Sequence, residues 1–167
     1  MSSSIPPNPP VTPCSFVLET PAASPEEALR HFALRLAVET DASDVLTDLQ
    51  RGKGGFVVVD ARSAAAHADM HVPGALSLPY RSIDAEAVAA LRDRVAVVYC
   101  WNQACNAGAK AAARLAALGI PVKDLLGGLE AWVHEGNPVE STLPPGTTFE
   151  QYLRWHHAGR GGRYSAG

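Results

Sequence analysis

Apolar residues along this chain fall into short continuous runs that are separated by longer segments of mixed character. Residues 56–59 and residues 95–99 are valine-rich runs of the length expected for strands that are buried on both faces. Residues 76–78 and residues 122–125 predict two further short strands, and residues 37–40 predict a short extended segment. The chain is therefore expected to contain a buried sheet.

Helical patterns occupy the segments between these runs. Residues 24–27 (SPEE) combine an N-cap serine, a proline at the first helical position and a glutamate three residues after the cap. Apolar residues then recur with the helical period, which predicts a helix that packs one face on the core through Leu29, Phe32, Ala33 and Leu36. Further helices are predicted from Asp41 or Ser43 through Leu49, and over residues 64–70, 83–91, 109–118 and 129–135, the last with Trp132 facing inward.

Strands that alternate with helices favour an α/β fold with parallel strands and helices on both faces of the sheet. We expect one domain over residues 25–140, including the N-terminal helix. Residues 1–24 are rich in proline and serine and are expected to be a disordered tail, which contains Cys14. Residues 141–167 are expected to be a C-terminal tail with a candidate helix at residues 149–157.

Composition narrows the choice of partners and compartment. The formal net charge is −3 and the 14 basic residues are scattered singly, which argues against binding to nucleic acid. No apolar run approaches the ~20 residues of a membrane helix, and the N-terminus lacks the features of a signal peptide. We therefore expect a cytoplasmic protein, either monomeric or oligomeric, whose three cysteines are not a disulfide framework.

The candidate nucleophile is Cys100, which directly follows the strand predicted at residues 95–99 and precedes the alanine-rich helix predicted at residues 109–118. A thiol in this position faces converging backbone N–H groups and the positive end of a helix dipole, which favour the thiolate. The alternative is a buried, inert thiol that packs as a small apolar residue.

Cys105 lies in the same loop, five residues after Cys100. A tight loop of this length can bring the two Cα atoms within the ~7 Å that a disulfide tolerates, so Cys105 is either a resolving thiol or a residue that shapes the loop. One Cys-x4-Cys pair without a second pair of ligands is a weak metal signal, and we expect no metal.

Four motifs in order, VVVDAR, HVPGALSLP, VVYC followed by a loop and an alanine-rich helix, and GGLEAW, resemble the rhodanese-like (sulfurtransferase) domain family over roughly residues 37–140. The resemblance implies an α/β/α sandwich with a five-stranded, mainly parallel sheet and no cofactor. It also implies that Cys100 takes sulfane sulfur from a small donor such as thiosulfate, becomes a persulfide and passes the sulfur to a thiophilic acceptor, either a small molecule or a protein thiol.

In that family the residues after the cysteine form a loop whose N–H groups bind the persulfide. The corresponding substrate-binding residues here are Trp101, Asn102, Gln103, Ala104, Cys105, Asn106 and Ala107. The loop is longer than usual, and an arginine that often stands near its end is missing, since residues 101–109 carry no charge. Related phosphatases depend on that arginine for their transition state, so its absence argues against phosphatase chemistry.

Three further residues near the strand ends are interpreted as structural support. Asp60 and Arg62 follow the strand at residues 56–59 and are expected to form a buried ion pair rather than a catalytic pair. His71 is expected to satisfy backbone groups of the turn before Pro73. The alternative function is a redox-sensing or protein-binding module that uses the Cys100 and Cys105 pair without turnover.

Overall fold

The computed structural model describes residues 15–159, so Cys14 and most of the expected N-terminal tail lie outside the described residues. The strands of this range are β1 (Glu39–Thr40), β2 (Phe56–Asp60), β3 (Met70–His71), β4 (Leu76–Ser77), β5 (Val95–Tyr99), β6 (Val122–Leu125) and β7 (Glu140–Ser141). Its α-helices are α1 (Pro25–Val38), α2 (Ala42–Gln50), α3 (Ala64–Asp69), α4 (Ala107–Ala117), α5 (Gly128–His134) and α6 (Phe149–His157).

The main sheet has the order β1-β6-β5-β2-β4, and all of its strand pairs are parallel. Helices connect the strands, as parallel pairing requires. The expected α/β architecture with a five-stranded parallel sheet is therefore confirmed. None of the helices in residues 15–159 is long and apolar enough to cross a membrane.

Alternate side chains of the central strands point into two separate core layers. Val58 and its register partner Val97 point into one layer, and Val59 and Val98 point into the other. A strand places successive side chains on opposite faces, so these continuous apolar runs are buried on both sides. Trp132 is fully buried in the first layer, as expected, and its indole N–H donates to the Pro138 carbonyl at 2.7 Å.

The segment expected to form a helix at residues 83–91 forms only one short 3-10 helix, at Ala87–Leu91, and another 3-10 helix at Tyr80–Ser82 precedes it. The carboxylate of Asp84 accepts hydrogen bonds from the Glu86 and Ala87 amides at 3.1 and 2.8 Å. Such a side chain stabilises a local turn in place of a regular helix.

Residues 15–34 and residues 35–159 belong to two compact units. Helix α1 forms where expected, and its N-terminus is closed by reciprocal hydrogen bonds between Ser24 and Glu27. The expectation that one face of α1 is packed in the core is wrong, because none of its residues is buried and Leu29 and Phe32 are 70% and 54% exposed. Capping and helix propensity are local effects, so they predict the helix without predicting its burial.

The described part of the C-terminal segment, through residue 159, contributes to the second unit's core, whereas it was expected to be a tail. Strand β7 pairs with β3 in an antiparallel two-stranded sheet. Helix α6 begins with a capping box between Thr148 and Gln151, and it buries Phe149 and Tyr152 in the first core layer. The Tyr152 hydroxyl donates to the Ala66 carbonyl at 3.1 Å.

Candidate active site

The candidate site lies where β5 ends and α4 begins. Cys100 is the first residue after β5, residues 101–106 form the connecting loop, and α4 starts at Ala107. A disulfide joins Cys100 to Cys105, and the two Cα atoms are 6.2 Å apart. Cys100 is only 4% exposed, whereas Cys105 is partly exposed.

The first residues of the loop are held in place by α5. The Leu129 amide donates to the Cys100 carbonyl at 3.0 Å, and the Glu130 amide donates to the Trp101 carbonyl at 2.9 Å. This approach requires Gly128, which has a φ of +61° and packs so closely that a Cβ atom would lie 2.7 Å from the Cys100 carbonyl oxygen. The GGLEAW motif therefore positions Cys100 through the backbone.

Two of the loop amides bond to the loop itself. The Ala104 amide donates to the Asn102 side-chain oxygen at 3.2 Å, and the Cys105 amide donates to the Asn102 carbonyl at 3.0 Å. Within residues 15–159, no hydrogen bond reaches the sulfur of Cys100. Asn106 is the N-cap residue of α4, although its side chain makes no capping bond. In the disulfide state, the Ala104 and Cys105 amides are therefore engaged by Asn102.

Both cysteines line a pocket of about 340 Å³. Its wall includes Trp101 and Ala107 from the loop side, and Arg62, Tyr80 and Arg81 from the opposite side. A second, smaller cavity of about 30 Å³ also borders both cysteines and is lined by Asn102, Gln103 and Asp124. Of the expected substrate-binding residues, Trp101, Cys105 and Ala107 thus face the larger pocket and Asn102, Gln103 and Cys105 face the smaller one.

Cationic side chains surround Tyr80 at the rim of the larger pocket. The charged ends of Arg81, Lys110 and Arg114 lie 5.5, 5.7 and 5.5 Å from the centre of its ring. None of the three forms a salt bridge with a carboxylate in the described part of the chain. The hydrogen bond from Arg81 to the Tyr80 hydroxyl and the nearby cations lower the pKa of Tyr80. The rim is thus suited to anions.

The sequence alone does not reveal this rim. Residues 101–109 carry no charge, whereas Arg81 comes from the 3-10 turn after β4 and Arg114 from the last turn of α4. The only available signal was the spacing of Lys110 and Arg114, which places two cations on one face of α4.

Asp60 and Arg62 form a fully buried ion pair at the end of β2. The Arg62 guanidinium donates to both carboxylate oxygens at 2.9 and 2.6 Å, and the Tyr99 hydroxyl donates to Asp60 at 2.8 Å. Burial raises the pKa of Asp60, but the hydrogen bonds and charge of Arg62 outweigh it and hold the pKa below its usual value. Because Tyr99 immediately precedes Cys100, this pair supports the end of β5 that carries the cysteine.

His71 contacts the chain on both sides of its ring. Its Nδ1 is 2.7 Å from the His67 carbonyl oxygen and its Nε2 is 3.1 Å from the Glu140 carboxylate. The backbone group that it satisfies thus belongs to α3 rather than to the turn at Pro73. The ring does not line either pocket beside Cys100.

Trp101 both borders the pocket and packs against α6. Its ring centre is 5.4 Å from that of Tyr152 and 4.5 Å from that of His156, and the Arg62 guanidinium lies 4.5 Å below its face. One side chain therefore both lines the pocket and packs against α6.

Asp124 is a further residue of the site that no sequence pattern marks. It lies on β6 beside the smaller cavity, and burial together with the charge of Glu39 raises the pKa of its carboxyl group. Gly108 separates it from Cys100, since a Cβ atom there would lie 3.1 Å from the Asp124 carboxylate and 3.7 Å from the Cys100 Cβ. No group of residues within 15–159 has the composition of a metal site.

Comparison with known proteins is consistent with this geometry. The family model for the rhodanese-like domain matches residues 42–135. A Bacillus halodurans protein of known crystal structure is 38% identical over 81% of this chain and 99% of its own, with a TM-score of 0.74. A full-length Lactobacillus plantarum protein is 29% identical over 70% of this chain and 98% of its own, with a TM-score of 0.61.

A more distant structure is that of the thiosulfate sulfurtransferase from Pseudomonas aeruginosa. It is 22% identical, and the match covers 80% of this chain and 25% of that one, with a TM-score of 0.55. At this level of identity the likeness concerns the fold alone. A search of curated proteins gave no match.

Proposed function

Because the chain belongs to the rhodanese-like domain family, we propose that it is a sulfurtransferase that moves sulfane sulfur from an anionic donor such as thiosulfate to a thiophilic acceptor. The observation that carries this proposal is the position of Cys100. It lies just before the N-terminus of α4 and borders a pocket lined by Tyr80 and Arg81, and Lys110 and Arg114 lie near the Tyr80 ring. A nucleophilic sulfur near cations that form no salt bridge within the described residues is suited to a sulfur compound that carries negative charge.

In the first half-reaction, the thiolate of reduced Cys100 attacks the outer sulfur of thiosulfate. A bond forms between the two sulfur atoms, the bond between the outer sulfur and the sulfonate sulfur breaks, and sulfite leaves with the electron pair. The product is a persulfide on Cys100, and total charge is conserved. Arg81, Lys110 and Arg114 offset the charge of the incoming donor and of the leaving sulfite.

In the second half-reaction, a thiophilic acceptor attacks the outer sulfur of the persulfide. The bond between the two sulfur atoms breaks and the electron pair returns to Cys100 as thiolate. With cyanide as the acceptor, the product is thiocyanate. The loop residues Asn102 and Gln103 are neutral hydrogen-bonding groups beside the sulfur and are proposed to help hold the transferred atom.

The disulfide between Cys100 and Cys105 sets a condition on this activity. A cysteine in a disulfide is not a nucleophile, so the proposed enzyme works only after reduction. A reducing compartment, as expected for the cytoplasm, would supply the reduced form.

The test is steady-state production of sulfite and thiocyanate from thiosulfate and cyanide by the protein kept reduced with excess dithiol. We expect turnover by the unmodified chain, loss of turnover in Cys100→Ser, and retained turnover in the matched control Cys14→Ser, which removes the remaining cysteine of the chain. Full activity in Cys100→Ser would identify a different nucleophile, and equal loss in both variants would point to damage unrelated to the site.

One observation favours a second candidate function, a redox-sensing module without turnover. The disulfide joins the two cysteines within one loop, so oxidation and reduction would alter the surface next to Trp101. This candidate predicts a reversible oxidation of the pair and no sulfite production from thiosulfate. The turnover assay therefore separates the two functions.

A further inference from the structure

We infer that Cys105 is the resolving thiol for the persulfide on Cys100, and that its attack releases the outer sulfur as hydrosulfide. The inference rests on the proposed function, because it requires a persulfide on Cys100. It goes further by assigning a catalytic role to a second residue and a product to the reaction. The disulfide itself is the observation that supports it, since the sulfur of Cys105 reaches the sulfur of Cys100 in this fold.

The release of hydrosulfide proceeds by a reaction of the thiol–disulfide exchange type. The Cys105 thiolate attacks the inner sulfur of the protonated Cys100 persulfide, a bond forms between the two side chains, and the outer sulfur leaves as hydrosulfide with its proton and the electron pair. The sulfane sulfur is reduced by two electrons, and the two cysteines are oxidised to the disulfide. The next cycle requires reduction of that disulfide by an external dithiol.

With the disulfide closed, backbone hydrogen bonds anchor both cysteines of the loop. Cys100 is fixed through its carbonyl by the Leu129 amide, and Cys105 is fixed through its amide by the Asn102 carbonyl. The pocket of about 340 Å³ is lined by both cysteines and offers space into which the outer sulfur departs. Arg81, which also lines the pocket, favours a leaving anion.

The exposure of the two cysteines also fits the reduction step. Cys100 is buried, whereas Cys105 is partly exposed. An external dithiol therefore reaches the Cys105 sulfur, forms the mixed disulfide there, and expels Cys100 as the leaving thiolate. The dithiol thus attacks Cys105, the resolving cysteine, and the exchange returns Cys100, the nucleophile, to its thiolate form.

The experiment is a single-turnover reaction of the fully reduced protein with thiosulfate, without oxygen and without added reductant. Released sulfide, free thiols and cyanide-labile sulfur are measured for the unmodified chain and for Cys105→Ser, Cys100→Ser and Cys14→Ser. We expect the unmodified chain and Cys14→Ser to release about one sulfide per chain and to lose two thiols. Cys105→Ser should release at least tenfold less sulfide and hold its sulfur in cyanide-labile form.

The measurements distinguish a failure of the proposed role of Cys105 from a failure of the sulfurtransferase proposal. If the unmodified chain keeps cyanide-labile sulfur and releases no sulfide, or if Cys105→Ser releases as much sulfide as the unmodified chain, the role of Cys105 is wrong and the sulfurtransferase proposal stands. If neither the unmodified chain nor Cys105→Ser forms cyanide-labile sulfur or sulfide, both proposals fall. Cys100→Ser should yield neither product.

Discussion

The backbone of Gly128 lies against the carbonyl oxygen of Cys100, and a Cβ atom built on this glycine would stand 2.7 Å from that oxygen and 3.1 Å from the Asn102 amide. The neighbouring Leu129 amide donates to the same carbonyl at 3.0 Å. The start of α5 thus fixes the loop that carries the proposed nucleophile, although Gly128 follows Cys100 by 28 positions in the sequence.

This contact predicts the effect of Gly128→Ala. The substitution forces a side chain into a left-handed backbone conformation and against main-chain atoms that cannot move without displacing the loop, so we expect a loss of about 2–4 kcal/mol in the free energy of unfolding. Sulfurtransferase activity should fall at least tenfold at a temperature where the variant is folded. Urea unfolding and the thiosulfate assay measure the two effects.

Gly136→Ala is the matched control. Gly136 also has a positive φ, +76°, but nothing lies within 4 Å of its Cβ position. It should lose about 1 kcal/mol from backbone strain and retain activity. Equal loss of activity in both variants would show that the approach of Gly128 to Cys100 is unimportant.

The buried ion pair of Asp60 and Arg62 leads to a prediction about stability. Asp60→Asn leaves Arg62 without its counter-charge in the core, and we expect a loss of about 3–5 kcal/mol in the free energy of unfolding at pH 7. The exposed pair of Glu26 and Arg30 is the control, and Glu26→Gln should cost about 0.5 kcal/mol or less.

The same pair sets a pH dependence. The pKa of Asp60 is lower in the folded chain than in the unfolded chain, so the unfolded state binds more protons as the pH falls toward the folded-state value. The stabilisation is complete above the ordinary aspartate pKa and is lost as the pH falls through the lowered one. The difference between the unmodified chain and Asp60→Asn should therefore shrink in acid, and a difference that is constant with pH would contradict the assignment.

The cationic rim predicts how the donor is bound. Arg81→Ala should raise the KM for thiosulfate by about 3- to 10-fold, the range expected for loss of one charge-assisted contact at a partly exposed site. Added salt should weaken donor binding in the unmodified chain and have a smaller effect in the variant. Arg92→Ala, which removes an exposed arginine that does not line the pocket, should leave the KM unchanged. A normal KM in Arg81→Ala would exclude a role for this rim.

The strands and most helices could be predicted because their signals are local. The runs at residues 95–99 and 122–125 coincide with β5 and β6, and Phe149–His157 coincides with α6. What these signals could not predict was burial. Leu29 and Phe32 have a helical period but stay exposed, whereas α6, with its mixed sequence, inserts Phe149 and Tyr152 into the core.

The site was predictable only where its residues are consecutive. Cys100, Cys105 and the loop between them follow from one stretch of sequence, and so does their approach to within disulfide distance. Arg81 and Asp124 reach the site from two other elements through the parallel order of the strands, and no local pattern marks them. The hydrogen bonds that the Ala104 and Cys105 amides donate to Asn102 likewise depend on the folded conformation of the loop.

The central claim, that Cys100 carries transferable sulfur, is tested most directly by peptide mass spectrometry of the reduced Cys105→Ser variant after incubation with thiosulfate. The account predicts one added sulfur atom, about 32 Da, on the peptide that contains Cys100, and its removal by cyanide. An unchanged Cys100 peptide, or added sulfur found only on Cys14, would contradict it.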